Sequence, residues 1–144
     1  MALTQHMLVG TDFSPASVLG LDLSCELAKL TGARITLAHV YLGAPAGLAD
    51  RAGKAEDEPC AIEESLTEDL ERLRRERLGD LAEVALRLIN AASPADALCR
   101  YASDHDIDLI VVSSHGRTGL AHLLIGSVAE KTVRHSPCPV VVAR

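Results

Sequence analysis

The chain has 144 residues, 48% of them hydrophobic and 2% aromatic, and carries a formal net charge of −6. That length suits one domain, residues 1–144, with a sizeable buried core, and no apolar run approaches what a bilayer crossing needs. The acidic balance has no basic stripe to neutralise phosphates, and the few aromatics offer no stacking platform. Nucleic acid is therefore excluded as the expected partner, and so is a membrane.

The opening residues, MALTQHMLVGTD, lack the basic start and small-residue cleavage site of a secretory leader, so the expected location is cytoplasmic. Residues 5–11 (QHMLVGT) read as a short buried strand ending at Asp12. Ser14-Pro15 then opens a helix, with serine as the cap and proline at the first helical position. Leu19, Leu23, Leu27 and Leu30 recur at helical spacing and predict its buried stripe, and Gly32 marks its end. A second strand covers 34–40 (RITLAHV).

From 41 to 58 the text loses all period and reads as a long connection, the kind that is usually a functional cover or disordered. A helix is expected from about 59 to 78, with an apolar stripe at Ile62, Leu66, Leu70 and Leu73. Glu68 with Arg72 and Glu71 with Arg75 are the expected supporting pairs. The arginines at 72, 74, 75 and 77 read as a solvated helix face rather than a binding patch. Residues 83–89 (EVALRLI) alternate as a third strand, more exposed on one face. Ser93-Pro94 repeats the helix opening, with Asp96 in the first turn, for a helix reaching about His105.

The stretch 107–128, IDLIVVSSHGRTGLAHLLIGSV, organises the rest. An apolar run interrupted only by Asp108 predicts a fourth strand buried on both faces. A polar, glycine-bearing loop follows, then an apolar patch at Leu120, Leu123, Leu124 and Ile125, and Gly126-Ser127 opens a last helix. A strand, a glycine loop and a helix start together offer backbone N–H groups and the positive end of a helix dipole to an anion, a nucleotide phosphate being the natural guest. That helix ends near 134–136, Pro137-Cys138-Pro139 punctuates, and 140–143 form a final strand whose start Pro139 places at a sheet edge.

Alternating strands and helices imply a parallel sheet with helices on both faces. Ligands bind such sheets outside the carboxyl ends of the strands, where the strand order reverses. Gly10, Thr11 and Asp12 at one strand end and Ser113 to Gly116 at another are set to meet there. Asp12 reads either as an acceptor for an adenine amino group or ribose hydroxyl, or as a satisfied loop carboxylate beside a helix dipole. Arg117 reads as a solvated loop cation or a phosphate neighbour. His115 has the pKa range of an acid–base group but reads as a hydrogen-bonder to backbone.

Neither GxxxxGK[ST] nor GxGxxG occurs. His39, His122 and His135 have no Ser, Cys or carboxylate partner at motif spacing, so the residues describe a binding site without catalytic machinery. The four cysteines, Cys25, Cys60, Cys99 and Cys138, show no metal-ligand spacing. They read as free thiols in a reducing compartment, Cys25 and Cys99 on apolar helix stripes and Cys60 in the most polar region.

Over essentially its whole length the chain resembles a single-domain universal stress protein. The likeness rests on Thr11-Asp12-Phe13-Ser14 after the first strand, on His39-Val40, and on SSHGRTGLAHLLIGSVAEKTVRHSPCPVVVAR. ATP-binding members carry G-x2-G-x9-G-[ST], and here Gly116, nine residues, then Gly126-Ser127 match. The resemblance implies an α/β, doubly wound, five-stranded parallel sheet in the order 3-2-1-4-5, Rossmann-like, and a homodimer paired through the last strands. It implies ATP or AMP as ligand, with Mg2+ carried by the phosphates. Asp12, Val40 and Val112 would line the adenine and ribose pocket, and Gly116, Gly126, Ser127 and the Val128 amide would hold ribose and phosphates. The departure is Ser113 in place of the first motif glycine, whose hydroxyl could crowd the ribose or add a hydrogen bond to it. A nucleotide-binding regulator of stress responses is the function implied. The alternatives are a nucleotide-independent dimeric module that docks a client protein and a hydrolase of adenine nucleotides, the last lacking a general base.

Overall fold

The computed structural model describes residues 4–43, 61–115 and 125–144. Five parallel strands run β1 (His6–Gly10), β2 (Arg34–Tyr41), β3 (Val84–Asn90), β4 (Leu109–Ser113) and β5 (Val140–Ala143). Their spatial order is β3-β2-β1-β4-β5, as the resemblance implied. The sequence reverses direction between β1 and β4, whose register pairs Met7 with Leu109 and Val9 with Val111. Helices α1 (Val18–Thr31), α2 (Ala61–Leu78), α3 (Pro94–Asp104) and α4 (Ser127–His135) fill the connections.

The two faces follow from strand periodicity, because successive side chains point to opposite sides. Met7, Val9, Leu37 and Val111 face α1 and α2, packing with Leu21, Cys25, Ala28, Leu70 and Leu78. Leu8, Ala38, Ile110 and Val112 face α3 and α4, packing with Leu98, Ala102 and Ala129. The central strands are covered on both sides, which is why they read as continuous apolar runs. At the edge, β3 is only half-buried.

Asp108, the interruption in the fourth apolar run, has a structural duty. Its Oδ2 accepts hydrogen bonds from the Gln5 and His6 amides at 2.8 and 3.2 Å, tying the start of β1 to the approach of β4. His6 beside it is buried, and its Nε2 lies 2.8 Å from the Thr36 hydroxyl.

Two helix stripes differ from expectation. On α1, Leu19 and Leu30 are 48% and 81% exposed, and the buried face is Gly20, Leu21, Ser24, Cys25 and Ala28. The sheet meets the helix on Leu21 and several small residues, while Leu27 packs partly against that core and Leu23 is half-buried, so the leucine spacing marked only the margin of the buried arc. On α2, Leu70 and Leu78 are buried whereas Ile62 is 62% exposed. The expected pairs on α2 also shift by one residue: Arg72 pairs with Asp69 and Arg74 with Glu71, while Arg77 reaches Asp22 of α1 at 3.5 Å. Pro59 and Cys60 lie outside the described residues, as do Leu120, His122, Leu123 and Leu124.

Candidate functional site

A crevice of about 210 Å3 opens at the carboxyl ends of β1, β2 and β4. Every predicted site residue within the described part of the chain borders it: Gly10, Thr11, Asp12, Val40, Val112, Ser113, His115, Gly126, Ser127 and Val128. Gly116 and Arg117 lie outside the described residues. Ser114, within the predicted 113–116 strand end, also lines it, and so do Ser17, Ala38, Pro94, Leu98 and Ala129, which were missed. Leu98 and Pro94 come from α3, whose approach to this end of the sheet depends on helix packing that periodicity cannot reveal.

The first wall is the turn after β1. Thr11 N–H continues the ladder to Ala38 O at 2.9 Å, and Thr11 Oγ1 accepts from the Phe13 amide at 3.1 Å. Asp12 Oδ1 accepts from the Ser14 amide at 3.0 Å and from the Ser14 hydroxyl. Ser14 in turn caps the short 3-10 turn Pro15–Ser17. Asp12 is therefore a carboxylate fixed by its own loop, and it borders the crevice. Phe13 pays for this tight turn with a left-handed backbone (φ 62°), rare for an aromatic residue. Its ring rests on His39 at 4.4 Å between centroids, and His39 Nδ1–H donates to Thr11 O at 2.8 Å. The β2 histidine thus supports the turn from beneath.

The floor is apolar, built by Val40, Leu98 and Val112. The opposite wall is the start of α4. Gly126 caps that helix with an extended backbone and no side-chain hydrogen bond to the first turn. The first amides of a helix have no partner within it, and Glu130 N to Gly126 O, 2.9 Å, is the first bond of this one. Gly126 N–H donates to Ser114 O, and a Cβ at 126 would run into that oxygen. Close approach of two backbones makes glycine necessary here, whereas φ of −72° would suit any residue. The contact sets the amides of Ser127 and Val128 at the rim.

Lys131, on the helix of this wall, is already engaged. Lys131 Nζ bridges the Ser93 hydroxyl at 3.1 Å and Asp96 at 2.9 Å, joining α4 to the N-terminal turn of α3, where Ser93 caps the Asp96 amide. Lys131 and the Ser93 hydroxyl hold the Asp96 carboxyl below its ordinary range. Burial raises the Cys99 thiol, which suits a packing role. Among the described residues Cys25, Cys99 and Cys138 are free.

His115 follows Ser114 at the end of the fourth strand. Its Nδ1 lies 2.8 Å from Ser114 Oγ, a side-chain partner one residue away. Ser114 is itself buried and Ser114 N–H donates to Ala143 O at 2.8 Å, so β5 steadies the loop that carries the pair. Among the described residues no group of three or more His, Cys, Asp or Glu is placed to hold a metal.

The comparisons agree with this architecture. A family model, the universal stress protein family, matches residues 4–144. The universal stress protein YxiE of Bacillus subtilis is 30% identical over 144 residues, covering 96% of this chain and 97% of its own. The solved structure of MJ0577, from Methanocaldococcus jannaschii, is similar with a TM-score of 0.75 at 27% identity, covering 98% of this chain and 96% of that one. A crystal structure of a universal stress protein in complex with cAMP is similar with a TM-score of 0.69 at 27% identity, covering 99% and 98%.

Proposed function

We propose that this chain, which belongs to the universal stress protein family, is a regulatory factor that binds an adenine nucleotide, ATP or AMP, in the crevice between β1, β4 and α4. One observation carries the reading: a nine-residue helix, α4, presents first-turn amides without a side-chain cap at the rim of an apolar crevice. Partial positive charge at a helix start favours an anion, and the apolar floor suits a base. The relative in complex with cAMP supports the same ligand class. In this reading Asp12, Val40 and Val112 receive adenine and ribose. Gly126, Ser127 and Val128, with Gly116, hold the phosphates, and Gly10, Thr11, Ser113, His115 and Arg117 complete the surround. Mg2+ enters only as a counter-ion of the phosphates.

The protein acts by occupancy rather than turnover, in the cytoplasm, as one domain that pairs through β5 into a homodimer. Two hydrogen bonds of β4 to β5 run from Ile110 N–H to Pro139 O and from Ser114 N–H to Ala143 O. By the alternation of a parallel ladder, residues 139, 141 and 143 face β4, and the N–H and C=O of Val140 and Val142 face outward. An outward apolar edge of this kind is closed by symmetric pairing.

Calorimetry with ATP, AMP and adenosine tests the binding. Saturable heat with both nucleotides, and a weaker response to adenosine, is the expected result. No heat and no thermal stabilisation at millimolar nucleotide would leave client docking without nucleotide as the surviving function. Phosphate release faster than about one turnover per minute would move the protein to the hydrolases.

A further inference from the structure

The end of β4 carries a serine where the glycine motif has its first glycine, and the direction of its side chain decides what that costs. Val112 points to the α3–α4 face, among Leu8, Ala38 and Leu98. Strand alternation sends Ser113 to the opposite face, toward α1. There its Oγ accepts a hydrogen bond from Gly20 N–H at 3.2 Å. Gly20 is the third residue of α1, in the turn whose amides find no partner inside the helix. The cap residue, Ser17, makes no side-chain bond to that turn. Ser113, itself a residue of the crevice wall, therefore does from another element what a local cap would do, with its hydroxyl engaged by α1.

The fit is two-sided. A Cβ on Gly20 would stand 3.1 Å from Ser113 Oγ and 3.7 Å from the Val112 carbonyl carbon. Glycine is a poor helix residue, yet at this position it makes room for the serine. The turn that leads into α1 is the one that holds Asp12, through Ser14 and through Ser17, whose hydroxyl lies 3.0 Å from Thr11 Oγ1.

We infer that Ser113 is a positioning residue for the nucleotide crevice, one half of a matched pair with Gly20. Its hydroxyl clamps the start of α1, and with it the Asp12 wall, at a set distance from β4. This rests on the nucleotide reading above for its effect on affinity.

A mutant cycle read by AMP titration tests it. Ser113→Gly removes the tether and weakens AMP binding about threefold, whereas Gly20→Ala, which drives a methyl against the hydroxyl, weakens it about tenfold. Adding Ser113→Gly to Gly20→Ala restores affinity to that of Ser113→Gly alone, because the clash is gone. Ser113→Thr, which keeps the hydroxyl, recovers most of what Ser113→Ala loses. In the ligand-free protein the Gly20 amide exchanges slowly with solvent in the native chain and in Ser113→Thr, and quickly in Ser113→Ala. Additive effects, or tighter binding by Ser113→Gly, would mean that the hydroxyl faces the ligand and would overturn the inference. So would a Ser113→Ala protein that melts lower but binds AMP unchanged, or a native Gly20 amide that exchanges as fast as in Ser113→Ala. A native chain that binds no AMP instead defeats the nucleotide reading itself.

Discussion

Gly126 shows how little freedom one atom can have. The Ser114 carbonyl occupies the space a methyl would need, and both partners are backbone, so neither can rotate away. Gly126→Ala is expected to push the start of α4 off the β4 loop and to destabilise the fold by about 1–3 kcal/mol, as overpacking does. Nucleotide-dependent protection should fall more than the melting temperature of the unliganded protein, and paired thermal melts with and without AMP would measure both. His6 makes a different kind of prediction. Burial first, and the Arg34 guanidinium second, hold its imidazole below the ordinary histidine range, although Asp108 and Asp106 pull the other way. The unfolded chain then takes up a proton that the folded one resists. Stability from this site is present above the unfolded value, about pH 6.5, and is lost as pH falls from there toward the depressed folded value. Melting temperatures between pH 7 and pH 5 should drop more steeply for the native chain than for His6→Gln; parallel slopes would sink the assignment.

At the scale of elements, caps and edges carry the predictions. Ser93 closes the start of α3 by accepting from Asp96 N–H at 3.4 Å and also receives Lys131 from α4. Ser93→Ala is expected to cost about 1 kcal/mol in urea denaturation, the usual worth of an N-cap. The edge strand is the test of assembly. Val142→Pro removes an outward N–H while leaving the bonds of residues 141 and 143 to β4, so light scattering should find the proposed dimer converted to monomer. A dimer of unchanged mass would place the interface elsewhere. Elements also show where periodicity misleads. The leucines of α1 keep helical spacing, yet the sheet lies against Leu21, Cys25 and Ala28, because close packing of helix on sheet selects small side chains as readily as large ones.

For the molecule as a whole, the crevice is a consequence of topology. β1 and β4 are neighbours although far apart in sequence, and their carboxyl ends diverge into connections on opposite faces of the sheet. Two helix starts, of α3 and α4, are brought to the same end. A ligand held there touches elements from both halves of the chain and should stabilise them together. At a free concentration one hundred times its dissociation constant, the gain is about 2.7 kcal/mol.

Much of this was determined by sequence alone. Strand alternation and buried apolar runs specified five strands and a doubly wound sheet, and Ser-Pro pairs and Gly32 located helix ends, because local backbone preferences act over a few residues. The glycine spacing around 116–126 and its likeness to universal stress proteins singled out the residues that meet at the crevice. Tertiary structure alone decided the orientation of Ser113, the buried arc of α1, and the entry of Leu98 and Pro94 into the site. Those outcomes turn on which atoms of distant elements come within hydrogen-bond or van der Waals reach, and no local pattern encodes such distances.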